Sequence, residues 1–191
     1  MISRKFIKEK KSRTVDVGSI LIAQPFWQDD RYRRSVIIIL NHDSAGSTGI
    51  ILNRQTTISV KDALPAITRN LPLNYGGPFD THTISFIHTN PEVPEAIYLG
   101  NELFWGGDFE YLREMIRNGQ IDFRKIKFFA GFVEWNEGEL ESEISESKWW
   151  KSEITSQGLF TASAEELWSH ELLTDGNMYG MLDELPDPSL N

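Results

Sequence analysis

The sequence of 191 residues is 40% hydrophobic and 12% aromatic, which is enough apolar material for one domain with a buried core and excludes global disorder. It contains no cysteine, which excludes disulfides, thiolate nucleophiles and cysteine-ligated zinc or iron–sulfur sites. The net charge is −9 at pH 7, but residues 1–13 carry +5, so that the rest of the chain carries −14. Such an acidic body repels nucleic-acid phosphates.

The sequence offers no targeting or membrane signal. The longest apolar stretch, residues 36–40, is far shorter than the ~18 residues of a membrane-spanning helix, and no apolar segment of a secretory signal follows the basic residues at the start. We therefore expect a cytoplasmic protein without a membrane partner. The simplest division is a basic N-terminal arm at residues 1–17, a single domain at 18–185 and a short tail at 186–191.

The first third of the chain predicts a β-hairpin. Residues 19–24 form an apolar run that Pro25 stops, as in a buried strand. Residues 35–41 and 47–53 are dense in β-branched side chains, and turn-forming residues lie between them. Ser59 and Asp62 have the spacing of a capping box and predict a short helix through residue 67.

Further strands and helices follow in mixed order. After a Gly-Gly-Pro loop at residues 76–78, strands are predicted at 82–88, within 97–105 and at 126–133. Three helix starts are predicted, at Asp108, at Asn136 with Glu139, and at Ser163 with Glu166. Because strands cluster without regular βαβ alternation, the sequence favours an α+β fold over a doubly wound parallel sheet.

The sequence contains no nucleophile elbow, phosphate-binding loop, dinucleotide fingerprint or zinc-protease motif. Among the four histidines, His42 lies beside Asp43 and would meet His88 if their strands were neighbours. Such a group can form a metal site or a general base. Alternatively, His42 and Asp43 decorate a hairpin end while His82 and His88 share one strand face.

An acidic run between residues 134 and 146 allows two interpretations. Paired carboxylates serve glycoside hydrolysis or bind divalent cations. On a helix, however, Glu139 and Glu143 share one face while Leu140 and Ile144 turn away from most of the acids, which favours a solvated face. The sequence therefore predicts no metal site.

The candidate ligand site lies around the hairpin and the glycine loop. Its residues are Arg34, Ser35, Asn53, Arg54, Gly76, Gly77 and Pro78. Guanidinium groups and free backbone amides suit a small anion or a peptide carboxylate. The competing interpretation is that the glycines fix turns while Asn53 and Ser35 satisfy backbone groups.

An ordered series of motifs along residues 18–170 resembles the YqgE/AlgH family. The matching segments are residues 18–25, 34–42, 46–54, 76–78 with 87–88, 131–135, 138–144 and Trp149. The sequence departs from the family pattern at Gln55, Phe79 and Glu139. The resemblance implies one compact α+β domain with a mixed, partly barrel-like sheet surrounded by helices. It implies little about activity, although a transcriptional-regulator label attaches to part of the family through alginate control.

These observations predict a non-enzymatic binding or regulatory-adaptor protein without a cofactor. We expect its partner to be a protein or a small anionic ligand, and we expect no direct DNA binding. The alternative is a hydrolase or other acid–base enzyme for a small anionic substrate, with His42 or His88 as base and Arg34 as anion clamp.

Overall fold

The computed structural model describes residues 14–27 and 29–174, with side chains through Ser169. The described strands are β1 (Ile20–Ala23), β2 (Val36–Asp43), β3 (Gly46–Ile51), β4 (Gln55–Ser59), β5 (Pro72–Tyr75), β6 (Phe79–His88), β7 (Ile97–Gly100), β8 (Leu103–Trp105), β9 (Ile126–Asn136) and β10 (Trp149–Ser152). The helices are α1 (Val60–Ala63), α2 (Phe109–Arg117), α3 (Glu139–Ser145), α4 (Ser156–Thr161) and α5 (Ala164–Thr174), and a 3-10 turn spans Phe123–Lys125. The predictions for residues 1–13 and 186–191 lie outside the described residues. No helix in the described part of the chain is long and apolar enough to cross a bilayer.

The strands form a mixed sheet in the order β10-β1-β2-β3-β9-β6-β8-β7, with β4 and β5 attached beside β9. The β5–β9 pair is parallel and the other pairs are antiparallel, which confirms the predicted α+β class. The path does not close by strand pairing. Instead, Asn101 Nδ2 donates to the Ile154 carbonyl at 2.9 Å, and this bond joins the β7–β8 turn to the segment after β10. The sheet is therefore partly barrel-like but open.

Strand β2 explains why residues 36–40 are apolar without alternation. Val36, Ile38 and Leu40 point into one core cluster together with Ile20 of β1. Ile37 and Ile39 point into a second cluster on the other face. Both faces of β2 are thus covered, and the predicted β2–β3 hairpin lies at the centre of the fold.

Two predicted helix boundaries need correction. The capping box of Ser59 and Asp62 is present, but α1 ends at Ala63 and does not reach residue 67. The next residue, Leu64, precedes Pro65, whose ring disfavours helical backbone angles in the residue before it. Helix α3 begins after Gly138, although Asn136 does bind Glu139 Oε2 through its backbone N–H at 2.9 Å.

The capping box predicted at Ser163 and Glu166 is confirmed. Glu166 N–H donates to Ser163 Oγ at 3.2 Å, and Ser163 N–H donates back to Glu166 Oε2 at 3.2 Å. The two reciprocal bonds fix the start of α5, which places Trp168 over the end of β1, where its indole N–H donates to the Ala23 carbonyl at 2.9 Å.

Candidate functional site

Asn53 ties the end of the β2–β3 hairpin to the segment that precedes β2. Its Oδ1 accepts from Val36 N–H at 2.9 Å, and its Nδ2 donates to the Arg34 carbonyl at 2.8 Å. Both the oxygen and the nitrogen of the Asn53 side chain are therefore hydrogen-bonded to backbone groups. Asn53 holds Arg34 and Ser35 beside Arg54, so four of the predicted site residues do come together.

Arg34 and Ser35 differ in what their side chains contact. Arg34 has a φ of +55°, and its guanidinium carbon lies 5.3 Å from the centre of the Trp168 ring. Ser35 is fully buried, and its Oγ has no hydrogen-bond partner among the described residues. The Arg34 charge is thus directed towards α5, while the Ser35 hydroxyl faces the core.

The guanidinium of Arg54 contacts two backbone carbonyls. Its Nη2 lies 3.3 Å from the carbonyl oxygens of Asp30 and Arg33, which are long contacts for hydrogen bonds. In the described part of the chain no carboxylate lies within ion-pair distance of Arg54. The side chain is half-buried, and desolvation lowers its pKa below the usual value for arginine. Among the described residues, the fold therefore holds a partly desolvated cation with no carboxylate at ion-pair distance, although the negative charge of Asp29 acts on it from farther away.

The loop at Gly76, Gly77 and Pro78 starts beside Arg54, because Tyr75 N–H donates to the Arg54 carbonyl at 2.8 Å. Gly76 N–H donates to the Ala130 carbonyl, and its own carbonyl accepts from Ile51 N–H, both at 2.8 Å. A Cβ on Gly76 would lie 2.2 Å from the Gly131 carbonyl oxygen. The glycines therefore allow close packing on β9, and the Gly76 amide is not available to an anion, contrary to the predicted cradle.

His42 and His88 lie at opposite ends of the sheet. His42 pairs with Ser47, which pairs with Trp135 near the end of β9, whereas His88 pairs with Ile126 at its start. Trp135 and Ile126 are nine residues apart along β9, which corresponds to about 30 Å in an extended strand. The possibility that they share one site is therefore excluded, which leaves the alternative that they are structural residues. Strands β3 and β9 separate β2 from β6.

His88 is held as a neutral ring. Its Nε2 lies 3.0 Å from the Gly106 carbonyl, and its Nδ1 accepts from Asn90 N–H at 3.2 Å. These two contacts fit the tautomer with the proton on Nε2. Burial lowers the pKa of His88 below its usual value of 6.5, in spite of both hydrogen bonds.

We expect this burial to make stability depend on pH. Below pH 6.5 the unfolded chain takes up a proton at this position while the folded chain does not, so the free energy of unfolding falls as the pH falls towards the lower, folded pKa. Urea titrations at pH 7.5 and pH 5 measure the fall. In a His88→Gln variant the fall should be smaller, and equal falls in both proteins would contradict the assignment.

The acidic run is mostly solvated, as its helical spacing predicts, but Glu143 is an exception. Its Oε2 accepts the indole N–H of Trp135 at 2.8 Å and that of Trp149 at 2.7 Å. The residue ties α3 to β9 and β10, a role that no local pattern indicates. Among the side chains described between residues 14 and 169, no group of three or more His, Cys, Asp or Glu residues is placed to hold a metal ion.

A cavity of about 710 Å³ lies at the β7–β8 end of the sheet, away from the predicted site residues. Its walls include Tyr98, Phe104 and Phe160, and its rim includes Glu102 and Lys125. These residues come from three separate segments of the chain. Sequence reasoning missed them because only the packing of α4 against the 3-10 turn brings the segments together.

Comparisons with known proteins point to one family. A family model described as AlgH-like matches residues 20–179. A UPF0301 protein from Parabacteroides distasonis is 36% identical over 91% of this chain and 90% of its own length, and one from Cytophaga hutchinsonii is 32% identical over 91% and 98%.

Two solved structures share the fold. The solution structure of the AlgH protein from Pseudomonas aeruginosa matches with a TM-score of 0.70 and 23% identity, covering 93% of this chain and 98% of that one. A crystal structure of a Corynebacterium diphtheriae protein matches with a TM-score of 0.73 and 21% identity, covering 92% and 95%. At these identities the structures support the fold alone.

Proposed function

The chain belongs to the AlgH-like family, and we propose that it is a non-enzymatic binding or regulatory-adaptor protein that recognises an anionic group through Arg54. The anionic group belongs either to a small ligand or to a protein partner. The observation that carries the proposal is the half-buried guanidinium of Arg54, which has two long carbonyl contacts and no carboxylate within ion-pair distance among the described residues.

The chemistry follows from the cost of burying an unpaired charge. Partial desolvation disfavours the cation, as the lowered pKa of Arg54 reflects, and two carbonyl dipoles compensate only in part. A guanidinium has five N–H donors, and both carbonyl contacts of Arg54 use the same Nη2. The remaining donors suit a carboxylate or phosphate, which would supply the missing counter-charge.

The neighbouring predicted residues support Arg54 in this proposal. Asn53 fixes the backbone before it, and the loop of Gly76, Gly77 and Pro78 packs beside it through Tyr75. Arg33 contributes a second positive charge that acts on Arg54, whereas the guanidinium of Arg34 lies over Trp168. The site thus rests on one cation that the backbone holds in place.

We expect Arg54→Met to leave stability within about 0.5 kcal/mol of wild type or to increase it. The methionine keeps the aliphatic stem and removes a charge that has two long carbonyl contacts and no carboxylate partner among the described residues. Urea unfolding followed by circular dichroism measures the difference. A clear loss of stability would instead assign Arg54 a structural role as a cap for the Asp30 and Arg33 carbonyls.

The binding role is tested by affinity capture from native lysate, with the bound fraction analysed for proteins and for small molecules. Wild type should retain an anionic partner that Arg54→Met loses. Arg124→Ala is the matched control, because Arg124 is exposed and already pairs with Asp122 at 3.0 Å. Equal retention by wild type and Arg54→Met would contradict the proposal.

We expect no sequence-specific DNA binding at physiological salt, because the chain outside residues 1–13 carries a net charge of −14. A fluorescence-anisotropy titration with duplex DNA tests this expectation. Tight binding that resists competitor DNA would overturn it, and deletion of residues 1–13 would then show whether the basic arm supplies the affinity.

A further inference from the structure

A second cavity, of about 520 Å³, is lined by three arginines. We call it the arginine cavity; it lies between the segment after α1, helix α2 and the 3-10 turn, and its walls include Thr68, Arg69, Arg113, Ile116, Arg117 and Phe123. Three arginines lining one cavity are unexpected in a chain of net charge −9. None of these residues belongs to the site around Arg54.

Arg113 and Arg117 have only exposed carboxylate partners on their own helix. Arg113 lies 2.5 Å from Glu110 and 3.8 Å from Glu114, and Arg117 pairs with Glu114 as well. The carboxylate side chains of Glu110 and Glu114 are 65% and 40% exposed. Ion pairs of this kind contribute little to stability, so a bound anion can replace them at small cost.

Arg69 has no carboxylate partner among the described residues. Its guanidinium carbon lies 4.3 Å above the centre of the Phe123 ring, a cation–π contact that orients the side chain. Asp122 caps the 3-10 turn that carries Phe123, since its Oδ1 accepts from Arg124 N–H at 3.1 Å. The fold therefore fixes one unpaired guanidinium on an aromatic support at the wall of the cavity.

We infer that the arginine cavity binds the phosphate monoester group of a small organic ligand. A phosphate monoester dianion presents three terminal oxygens, which match three guanidinium forks better than the two oxygens of a carboxylate do. The cavity has the size of pockets that enclose small organic molecules, and Ile116 and Phe123 supply an apolar wall for the organic part. Two glutamates oppose three arginines, so the cluster keeps a net positive charge.

The test is a titration of the full chain with phenyl phosphate at low salt, followed by ¹H–¹⁵N spectra. We expect saturable shifts at the amides of Arg69 and Phe123, and a loss of affinity of about tenfold or more in Arg69→Ala and in Arg117→Ala. Inorganic phosphate should bind more weakly than phenyl phosphate. Equal affinity for both would overturn the assignment of an organic ligand.

Two control variants separate this site from the Arg54 site and from general charge effects. Arg124→Ala removes an exposed arginine that is not part of the arginine cavity, and Arg54→Met removes the cation of the proposed function; both should keep the wild-type affinity for phenyl phosphate. If only Arg54→Met lost affinity, phenyl phosphate would bind at the Arg54 site and not in the arginine cavity, and the inference would be overturned. Absence of saturable binding, or wild-type affinity in Arg69→Ala, would also overturn it.

Discussion

Substitution of Gly76 by alanine is expected to lower the free energy of unfolding by about 3 kcal/mol. The added Cβ would lie 2.2 Å from the Gly131 carbonyl oxygen and 3.3 Å from that of Ala130. The backbone cannot move away freely, because Gly76 is bonded to Ala130 on one side and to Ile51 on the other. Relief of the clash must therefore break hydrogen bonds between β5, β9 and the end of the β2–β3 hairpin.

Gly158→Ala is the matched control for this substitution. A Cβ at Gly158 would meet its nearest atoms at 3.4 and 3.5 Å, which is ordinary contact, and the residue lies within helix α4. Alanine there should leave stability unchanged or increase it by up to about 1 kcal/mol. Urea unfolding of the three proteins gives the comparison. Similar stabilities for Gly76→Ala and Gly158→Ala would show that the loop tolerates a side chain.

The parts of the fold that were predicted from sequence have strong local signals. The apolar run of β2 and the turn after it indicate the hairpin, and the capping boxes mark the starts of α1 and α5. Strands β4, β5 and β10 were missed for a physical reason, and β5 is only four residues long. Most of β4 is exposed, with the polar sequence QTTIS, and β10 consists of four residues that pair with β1 from far along the chain. Such strands depend on pairing partners more than on their own side chains.

The candidate site was predictable in composition but not in geometry. The Asn53-Arg54 pair indicates an amide and a cation at a strand end, and the structure places both there. Whether a glycine amide stays free, or whether His42 can reach His88, depends on the register of β9 against β3, β5 and β6. A sequence pattern of period two determines which face of a strand is buried, but a shift by two residues keeps the same face, so the pattern does not choose among such registers or among partner strands.

Glu143 illustrates the same limit inside the acidic run. Glu139 lies on the same face of helix α3 as Glu143. The indole N–H groups of Trp135 and Trp149 nevertheless both donate to Glu143. Both indole rings are buried and pack edge to face, with ring centres 6.1 Å apart. The carboxylate is thus the shared acceptor at the junction of β9, α3 and β10.

We therefore expect Glu143→Ala to lower the free energy of unfolding by about 2–4 kcal/mol, because it leaves two buried indole N–H groups without an acceptor. Glu143→Gln should lose less, since an amide oxygen has two lone pairs and can accept from both indoles without the charge. Glu137→Ala is the control, as Glu137 is exposed and should change stability by no more than about 0.5 kcal/mol. Urea unfolding measures the stabilities, and the indole ¹H–¹⁵N resonances report the two bonds. If Glu143→Ala were as stable as Glu137→Ala with unshifted resonances of Trp135 and Trp149, the carboxylate would not be the acceptor that holds α3 against the sheet.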